Sequence, residues 1–113
     1  MKTIIAGSRG LSSASEVWKA IDNCGWVPTT VVCGGARGAD TFGAEWAIEN
    51  NVPIEYHYPD WSKYGRRAGL LRNIEMASVS DALIAVWDGT SKGTGHMIDT
   101  ARAKGLKIHV ELF

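Results

Sequence analysis

Apolar and polar residues alternate in blocks along the chain, and the blocks predict five strands separated by four helices. The apolar runs that predict strands cover residues 3–6, 30–33, 54–58, 82–87 and 107–112. Between these runs, apolar residues recur at i, i+3, i+4 and i+7, the spacing of a helix that buries one face. Strands that alternate with helices are typical of βαβ units, so we expect a mainly parallel sheet.

Local signals indicate where the helices lie. Ser13 stands three residues before Glu16, the spacing of a capping box at the start of the first helix. Residues 59–65 are predicted to be a loop. In the third helix, which follows that loop, the predicted buried stripe consists of Leu70, Ile74 and Ala77.

The type of each apolar run predicts the order of the strands. The runs at 3–6, 30–33 and 82–87 are unbroken, as in central parallel strands that are buried on both faces. The runs at 54–58 and 107–112 alternate with polar residues, which favours the two edges. The order 3-2-1-4-5 satisfies both conditions. We therefore predict one domain over residues 1–113, with a doubly wound (Rossmann-like) α/β fold and helices on both faces of the sheet.

Charge and cysteine content narrow the classes of partner. The chain has 12 Lys and Arg and 12 Asp and Glu, so no overall charge attracts it to nucleic acid or to an anionic membrane. Cys24 and Cys33 lack the spacing of a metal site, and we expect buried free thiols and no metal. No leader-like or membrane-length apolar segment is found, so we expect a cytoplasmic protein.

Glycines are concentrated in the loops that follow the predicted strands. Eight of the 13 glycines lie there: Gly7, Gly10, Gly34, Gly35, Gly38, Gly89, Gly93 and Gly95. In a parallel sheet these loops emerge at one edge, beside helix N-termini whose free amides attract anions. Glycine also lets the backbone approach an oxyanion closely. The pattern predicts a phosphate site between the loops after strands one and four, where the winding direction reverses.

Polar side chains in these loops have two interpretations each. Arg9 and Arg37 either bind phosphate through paired hydrogen bonds or pair with carboxylates such as Asp40 and Asp88. For Asp40 we favour capping, and for Asp88 ligand contact. Thr94 either donates to a phosphate or caps a helix.

Several short motifs occur in order on the predicted loops. They are Gly7-Ser8-Arg9, Cys33 to Asp40, Trp61, Tyr64-Gly65, Ala68-Gly69, Arg72-Asn73, Met76, Trp87-Asp88-Gly89, Ser91, Gly93-Thr94 and His96. Together they resemble the YspA/cpYpsA-related branch of the SLOG superfamily over nearly the whole chain. The resemblance implies a Rossmann-like fold and a site for nucleotides or nucleotide-derived ligands of the NAD or ADP-ribose kind.

The superfamily is also similar to the cytokinin-activating phosphoribohydrolases, whose pattern pairs an Arg on the third helix with a Glu after a glycine-rich loop. Arg72 matches the first element. Met97 stands where the pattern has its glutamate, and His96 is the nearest polar residue. This departure argues against the usual glycosidic cleavage, which needs a carboxylate to stabilise an oxocarbenium-like centre.

These observations give one set of candidate site residues. The candidate ligand- or phosphate-binding residues are Gly7, Ser8, Arg9, Gly34, Gly35, Arg37, Gly38, Asp40, Arg72, Asn73, Asp88, Gly89, Ser91, Gly93, Thr94 and His96. Trp61 and Tyr64 either stack on a base or seal the edge of the core or a dimer contact. Arg66 and Arg67 are predicted to form a solvated basic face.

The leading hypothesis is a binding protein that senses or sequesters a nucleotide or nucleotide-derived metabolite, such as an ADP-ribose- or NAD-like ligand, and that requires no cofactor. The alternative is a phosphoribohydrolase or N-glycosidase with Arg72 and His96 as catalytic residues. A third class, single-stranded nucleic-acid binding, fits a distant superfamily branch that serves DNA uptake, but the neutral charge argues against it.

The tryptophans Trp18, Trp26 and Trp46 are expected to pack or to form a contact in a homodimer or higher homo-oligomer.

Overall fold

A five-stranded parallel sheet forms the centre of the protein in the computed structural model, which describes residues 1–11 and 13–113. The strands are β1 (Lys2–Gly7), β2 (Thr30–Cys33), β3 (Ile54–Tyr56), β4 (Ala82–Trp87) and β5 (Lys107–Leu112). The helices are α1 (Ala14–Asn23), α2 (Ala39–Glu49), α3 (Trp61–Tyr64), α4 (Ala68–Val79) and α5 (Lys92–Ala103). A 3₁₀ turn, Gly65–Arg67, joins α3 to α4.

The strand order is β3-β2-β1-β4-β5, which confirms the prediction. β1 pairs with β2 on one side, with Ile4 opposite Val32, and with β4 on the other, with Ile4 opposite Leu83. The chain winds outward from β1 in both directions, so the reversal point lies between β1 and β4.

The core has two layers, one on each face of the sheet. Successive side chains of a strand point to opposite faces. Ile5 accordingly packs with Val17 and Ile21 of α1, whereas Ile4 packs with Met76 of α4 and Met97 of α5. Helices therefore cover both faces, as the doubly wound prediction requires. No helix of the described part of the chain combines the length and the apolar character needed to cross a membrane.

Two predicted boundaries are wrong. β3 ends at Tyr56 rather than at residue 58, although the amide of His57 still donates to the Cys33 carbonyl at 2.9 Å. The predicted loop at 59–65 contains the one-turn helix α3, in which the amide of Lys63 donates to the Asp60 carboxylate at 3.1 Å. A single turn is too short to show a helical apolar period in the sequence.

The predicted buried stripe of α4 is also wrong in part. Leu70 and Ile74 are 44% and 43% exposed, whereas Asn73, Met76 and Ala77 are buried. The inward side of α4 combines Met76 and Ala77, which pack in the core, with Asn73, whose side-chain amide is hydrogen-bonded inside the protein.

Candidate functional site

A cavity of about 410 Å³ opens at the carboxyl ends of β1 and β4, where the winding reverses. This volume falls in the range of small-molecule sites, about 300–1,000 Å³. The loops after β1, β2 and β4 form one side, and α3 and α4 form the other. Candidate residues that line it are Gly7, Ser8, Arg9, Asp40, Trp61, Arg72, Asn73, Ser91, Gly93 and Thr94.

Arg72 is held in place by the main chain. Its Nη1 donates to the Gly34 carbonyl at 2.8 Å, and its Nε donates to Asn73 Oδ1 at 3.1 Å. Burial lowers the pKa of the Arg72 guanidinium, although an arginine keeps its charge in proteins. The cavity therefore contains a fixed cation that reaches it from α4.

Asn73 links Arg72 to His96. Because Asn73 Oδ1 accepts from Arg72, its Nδ2 must be the donor to the Gly93 carbonyl at 3.3 Å and to His96 Nδ1 at 3.2 Å. His96 Nδ1 is then an acceptor, and its Nε2–H points to Thr100 Oγ1 at 3.4 Å. Both ring nitrogens have partners within the protein, and His96 does not line the cavity.

Arg9 and Arg66 also line the cavity, and neither is paired with a carboxylate. Within residues 1–11 and 13–113, no Asp or Glu oxygen lies within 4.0 Å of the guanidinium of Arg9, Arg66 or Arg72. Of the two interpretations of Arg9, pairing with Asp40 or Asp88 is thus not observed. The lining contains three arginines and one carboxylate, that of Asp40, so its net charge is positive.

Asp40 is the carboxylate that lines the cavity, and it binds the neighbouring loop. Its Oδ2 accepts from the amides of Gly34 at 3.0 Å and Ala36 at 3.2 Å. It therefore caps the loop before α2 rather than the first turn of the helix itself. Burial raises the pKa of Asp40, against the opposing effect of these amides and of Arg72. Cys33, next to this loop, is a buried free thiol whose pKa is raised by burial to about 11.

The loop after β4 is closed by its own aspartate. Asp88 Oδ1 accepts from the amides of Thr90 and Ser91 at 2.9 and 2.8 Å, and these bonds hold the pKa of Asp88 well below its usual range. Ser91 Oγ donates to Asp88 Oδ2, so Ser8 Oγ must be the donor to Ser91 Oγ at 3.1 Å. The carboxylate of Asp88 thus faces its own turn, and Asp88 does not line the cavity.

The start of α5 offers free amides to the cavity. Ser91 is the N-cap residue, but its side chain makes no capping bond to the helix. As at any helix start, the amides of the first helical turn lack intrahelical partners, and Gly93 and Thr94 of this turn line the cavity. A helix N-terminus of this kind favours an anion.

Some glycines are required by packing between the loops. A Cβ on Gly38, which has φ +78°, would overlap the Ser8 carbonyl oxygen, and one on Gly7 would overlap the Val86 carbonyl oxygen. Gly38 thus lets the loop after β2 touch the loop after β1, and Gly7 lets the end of β1 lie close to β4. Their role in the structure is independent of any ligand.

Seven further candidates, besides His96, lie outside the lining of the cavity: Gly34, Gly35, Arg37, Gly38, Tyr64, Asp88 and Gly89. The structure adds residues that the candidate set did not include: Ala6, Gly10, Ala36, Arg66, Gly69, Leu70, Met76 and Met97. Gly69 and Met76 belong to the short motifs of the sequence, so those motifs could have identified both as lining residues. Met97 lines the cavity where the phosphoribohydrolase pattern has its glutamate.

Comparisons with known proteins agree with this architecture. The chain is 38% identical over 116 residues to the Gene 61 protein of Mycobacterium phage D29, covering 95% of this chain and 93% of that protein. Its fold is similar to that of DNA processing protein A (DprA) from Streptococcus pneumoniae, with a TM-score of 0.74, 18% identity and 96% of this chain covered. The chain spans about half, 49%, of the DprA chain. The model of the YspA, cpYpsA-related SLOG family matches residues 1–64, and the chain belongs to this family.

Proposed function

We propose that the protein binds a nucleotide or a nucleotide-derived metabolite, such as an ADP-ribose- or NAD-like ligand, in the cavity at the ends of β1 and β4. One observation carries the proposal: Arg9, Arg66 and Arg72 face the same cavity as the free amides of α5 and have no carboxylate within 4.0 Å in the part of the chain described. Such a set of donors matches the oxygens of a phosphate or pyrophosphate.

The apolar part of the cavity supports a ligand larger than inorganic phosphate. Leu70, Met76 and Met97 line it together with Trp61, whose side chain is 53% exposed and available for stacking. An aromatic face and an apolar floor suit a purine or pyrimidine base. Family membership adds to this support, because the family resemblance implies a nucleotide-type ligand.

Binding without turnover is the better supported of the two functions. Hydrolysis of a glycosidic bond needs a carboxylate near the reacting carbon. Asp40 holds two loop amides, Met97 occupies the glutamate position, and both nitrogens of His96 are hydrogen-bonded within the protein. We therefore propose a sensing or sequestering role, with hydrolysis as the alternative that product analysis separates from it.

The test is isothermal titration with AMP, ADP-ribose and inorganic phosphate, followed by chromatography of the mixtures. Arg9→Ala is the informative variant, because Arg9 is an exposed residue of the cavity lining and its loss leaves the core intact. We expect it to weaken nucleotide binding at least tenfold, since a hydrogen bond to a charged group contributes about 1.5–3 kcal/mol.

Arg67→Ala is the matched control: it removes an exposed arginine next to Arg66 that does not line the cavity. Equal effects of Arg9→Ala and Arg67→Ala, or the absence of nucleotide binding, would contradict the proposal. Release of free base during the titration would favour the hydrolase. Salt-sensitive binding of single-stranded DNA at comparable affinity would instead favour the nucleic-acid class.

A further inference from the structure

Asn73 is a buried polar residue between α4 and α5, and its side-chain amide is fully hydrogen-bonded. It is 5% exposed. Its Oδ1 accepts from Arg72 Nε at 3.1 Å, and its Nδ2 lies 3.3 Å from the Gly93 carbonyl oxygen and 3.2 Å from His96 Nδ1. The amide oxygen and both amide hydrogens thus have partners within the protein. The proposed function uses Arg72 but gives no role to Asn73 or His96.

Two of these partners fix the orientation of the amide. The guanidinium of Arg72 can only donate a hydrogen bond, and the carbonyl oxygen of Gly93 can only accept one. A flipped amide would turn its NH2 group to Arg72 and its oxygen to Gly93, so it would lose both bonds. Asn73 Nδ2 must therefore donate to His96 Nδ1. This nitrogen accepts a hydrogen bond only in a neutral imidazole that carries its hydrogen on Nε2.

A proton on His96 would break this arrangement. A charged imidazole carries a hydrogen on each ring nitrogen, so Nδ1 would then face the NH2 group of Asn73 donor to donor. Turning the Asn73 amide to receive the new hydrogen would cost its bonds to Arg72 and Gly93. The charged form of His96 is therefore incompatible with the hydrogen bonds that the structure shows.

The charged surroundings of His96 do not compensate a charged ring. The charged or titratable residues of α5 and of the elements packed against it are Lys92, Asp99 and Arg102 of α5, Arg72 and Glu75 of α4, Lys2 of β1, and Lys107, His109 and Glu111 of β5. Among the residues that the structure describes, no carboxylate oxygen lies within 4.0 Å of a ring nitrogen of His96. The charged group linked to the ring through Asn73 is the cation of Arg72.

We propose that Asn73 is the positioning residue for Arg72 and that it holds Arg72 in place for an anion only while His96 is neutral. This inference rests on the proposed function, because Arg72 is one of the arginines proposed to bind phosphate. It adds regulation by pH: acidification charges His96, breaks its bond to Asn73 and loosens α4 against α5. Arg72 keeps its second bond, to the Gly34 carbonyl, so we expect binding to be weakened rather than abolished.

The test is isothermal titration with ADP-ribose at about pH 7.5 and about pH 5.5, the range in which histidine gains its proton. The two phosphates of this probe are diesters whose charge is the same at both pH values, so a difference in affinity reports on the protein. We expect the unmodified protein to bind ADP-ribose about tenfold more weakly at the lower pH, which is the effect of about one hydrogen bond.

Two variants separate positioning from a merely structural role. His96→Asn places an amide oxygen, which does not titrate, within reach of Asn73, so its affinity should change less than about twofold between the two pH values. Asn73→Asp provides an acceptor for a protonated His96 as well as for Arg72, so its affinity should no longer fall on acidification. A merely structural role of Asn73 would instead weaken binding equally at both pH values.

His109→Asn is the matched control, because His109 of β5 bonds Glu111 and does not line the cavity. This variant should keep the full pH effect. Asp40, which also titrates and lines the cavity, is common to all the variants, and a proton on it favours an anion, the opposite effect. Circular dichroism at both pH values checks that each variant is folded, and His96→Asn decides alone if Asn73→Asp is not.

Equal or tighter binding of ADP-ribose by the unmodified protein at the lower pH would overturn the inference and leave the proposed function standing. A loss of affinity on acidification that persists in His96→Asn would also overturn it. Absence of ADP-ribose binding at both pH values would instead overturn the proposed function, and this inference with it.

Discussion

Asp40 places a negative charge beside a group of arginines. It is 5% exposed, and its oxygens hold the amides of Gly34 and Ala36 rather than a guanidinium. Burial raises the pKa of Asp40, so keeping this carboxylate ionised at neutral pH costs stability. At the scale of a residue, Asp40 therefore shapes the loop between β2 and α2.

We predict that Asp40→Ala lowers the free energy of unfolding by about 1–3 kcal/mol, because the two amides lose their acceptor. Asp40→Asn keeps an acceptor oxygen and should cost less. A raised carboxyl pKa in the folded state means that the contribution of Asp40 to stability falls as the pH rises above its ordinary value of 3.8. The stability of Asp40→Asn relative to the unmodified protein should therefore increase as the pH rises above 3.8.

Urea unfolding at several pH values measures both effects. A constant difference between Asp40→Asn and the unmodified protein across this range would contradict a raised pKa of Asp40. Equal losses in Asp40→Ala and Asp40→Asn would show that the bonds to the loop amides do not account for the role of Asp40.

His57 connects the edge strand β3 to α4, the helix that carries Arg72. It follows β3, and its ring nitrogens lie 2.6 Å from Glu55 Oε2 and 3.0 Å from Glu75 Oε1 of α4. Glu55 also accepts from Lys2 of β1 at 2.8 Å. Both partners of the ring are carboxylates, so a hydrogen on either ring nitrogen has an acceptor. At the scale of an element, this cluster joins α4, which carries Arg72, to the edge of the sheet.

We predict that His57→Ala loosens α4 and makes the protein less stable above about pH 4.5. The hydrogen bond from His57, followed by that from Lys2, lowers the pKa of Glu55 from its ordinary 4.5. A lowered carboxyl pKa gives stability that is present above the ordinary value and is lost as the pH falls through the folded-state value. The stability difference between His57→Ala and the unmodified protein should therefore shrink on acidification.

A double-mutant cycle of His57→Ala with Glu55→Gln measures the coupling, which should be below about 1 kcal/mol because Glu55 is partly exposed. Arg102→Ala is the control, since its pair with Asp99 is a largely exposed one within α5. A coupling no larger than zero at pH 7 would contradict the role assigned to His57.

The whole molecule exposes several large apolar side chains, among them Trp61 and Leu70, which line the cavity, and Ile74. Such a concentration favours self-association. The homo-oligomer expected from the sequence stays a prediction, and we expect sedimentation velocity to give roughly twice the chain mass of 12.2 kDa or more. A species at the chain mass at micromolar concentrations would contradict it, and the same experiment in urea supplies the monomer reference.

The sequence by itself determined the fold and the place of the cavity. Unbroken apolar runs mark strands buried on both faces, and alternating runs mark edges, so the order 3-2-1-4-5 follows from local patterns. The glycines after β1, β2 and β4, together with Arg9 and Arg72, likewise indicated which end of the sheet carries the cavity. These features depend on residue type and spacing, which the sequence contains directly.

Only the tertiary structure decided which way the polar side chains face. The Asp88 carboxylate accepts a hydrogen bond from the Ser91 amide of its own loop. The side chain of Ser91 is in turn hydrogen-bonded to that of Ser8, which lies 83 positions away in the sequence. Asn73 of α4 likewise faces inward, where its side-chain amide is hydrogen-bonded to Gly93 and His96 of α5. The hydrogen-bond partners of these polar groups are distant in sequence. Which partner a group binds depends on distances that are set only when the sheet has assembled.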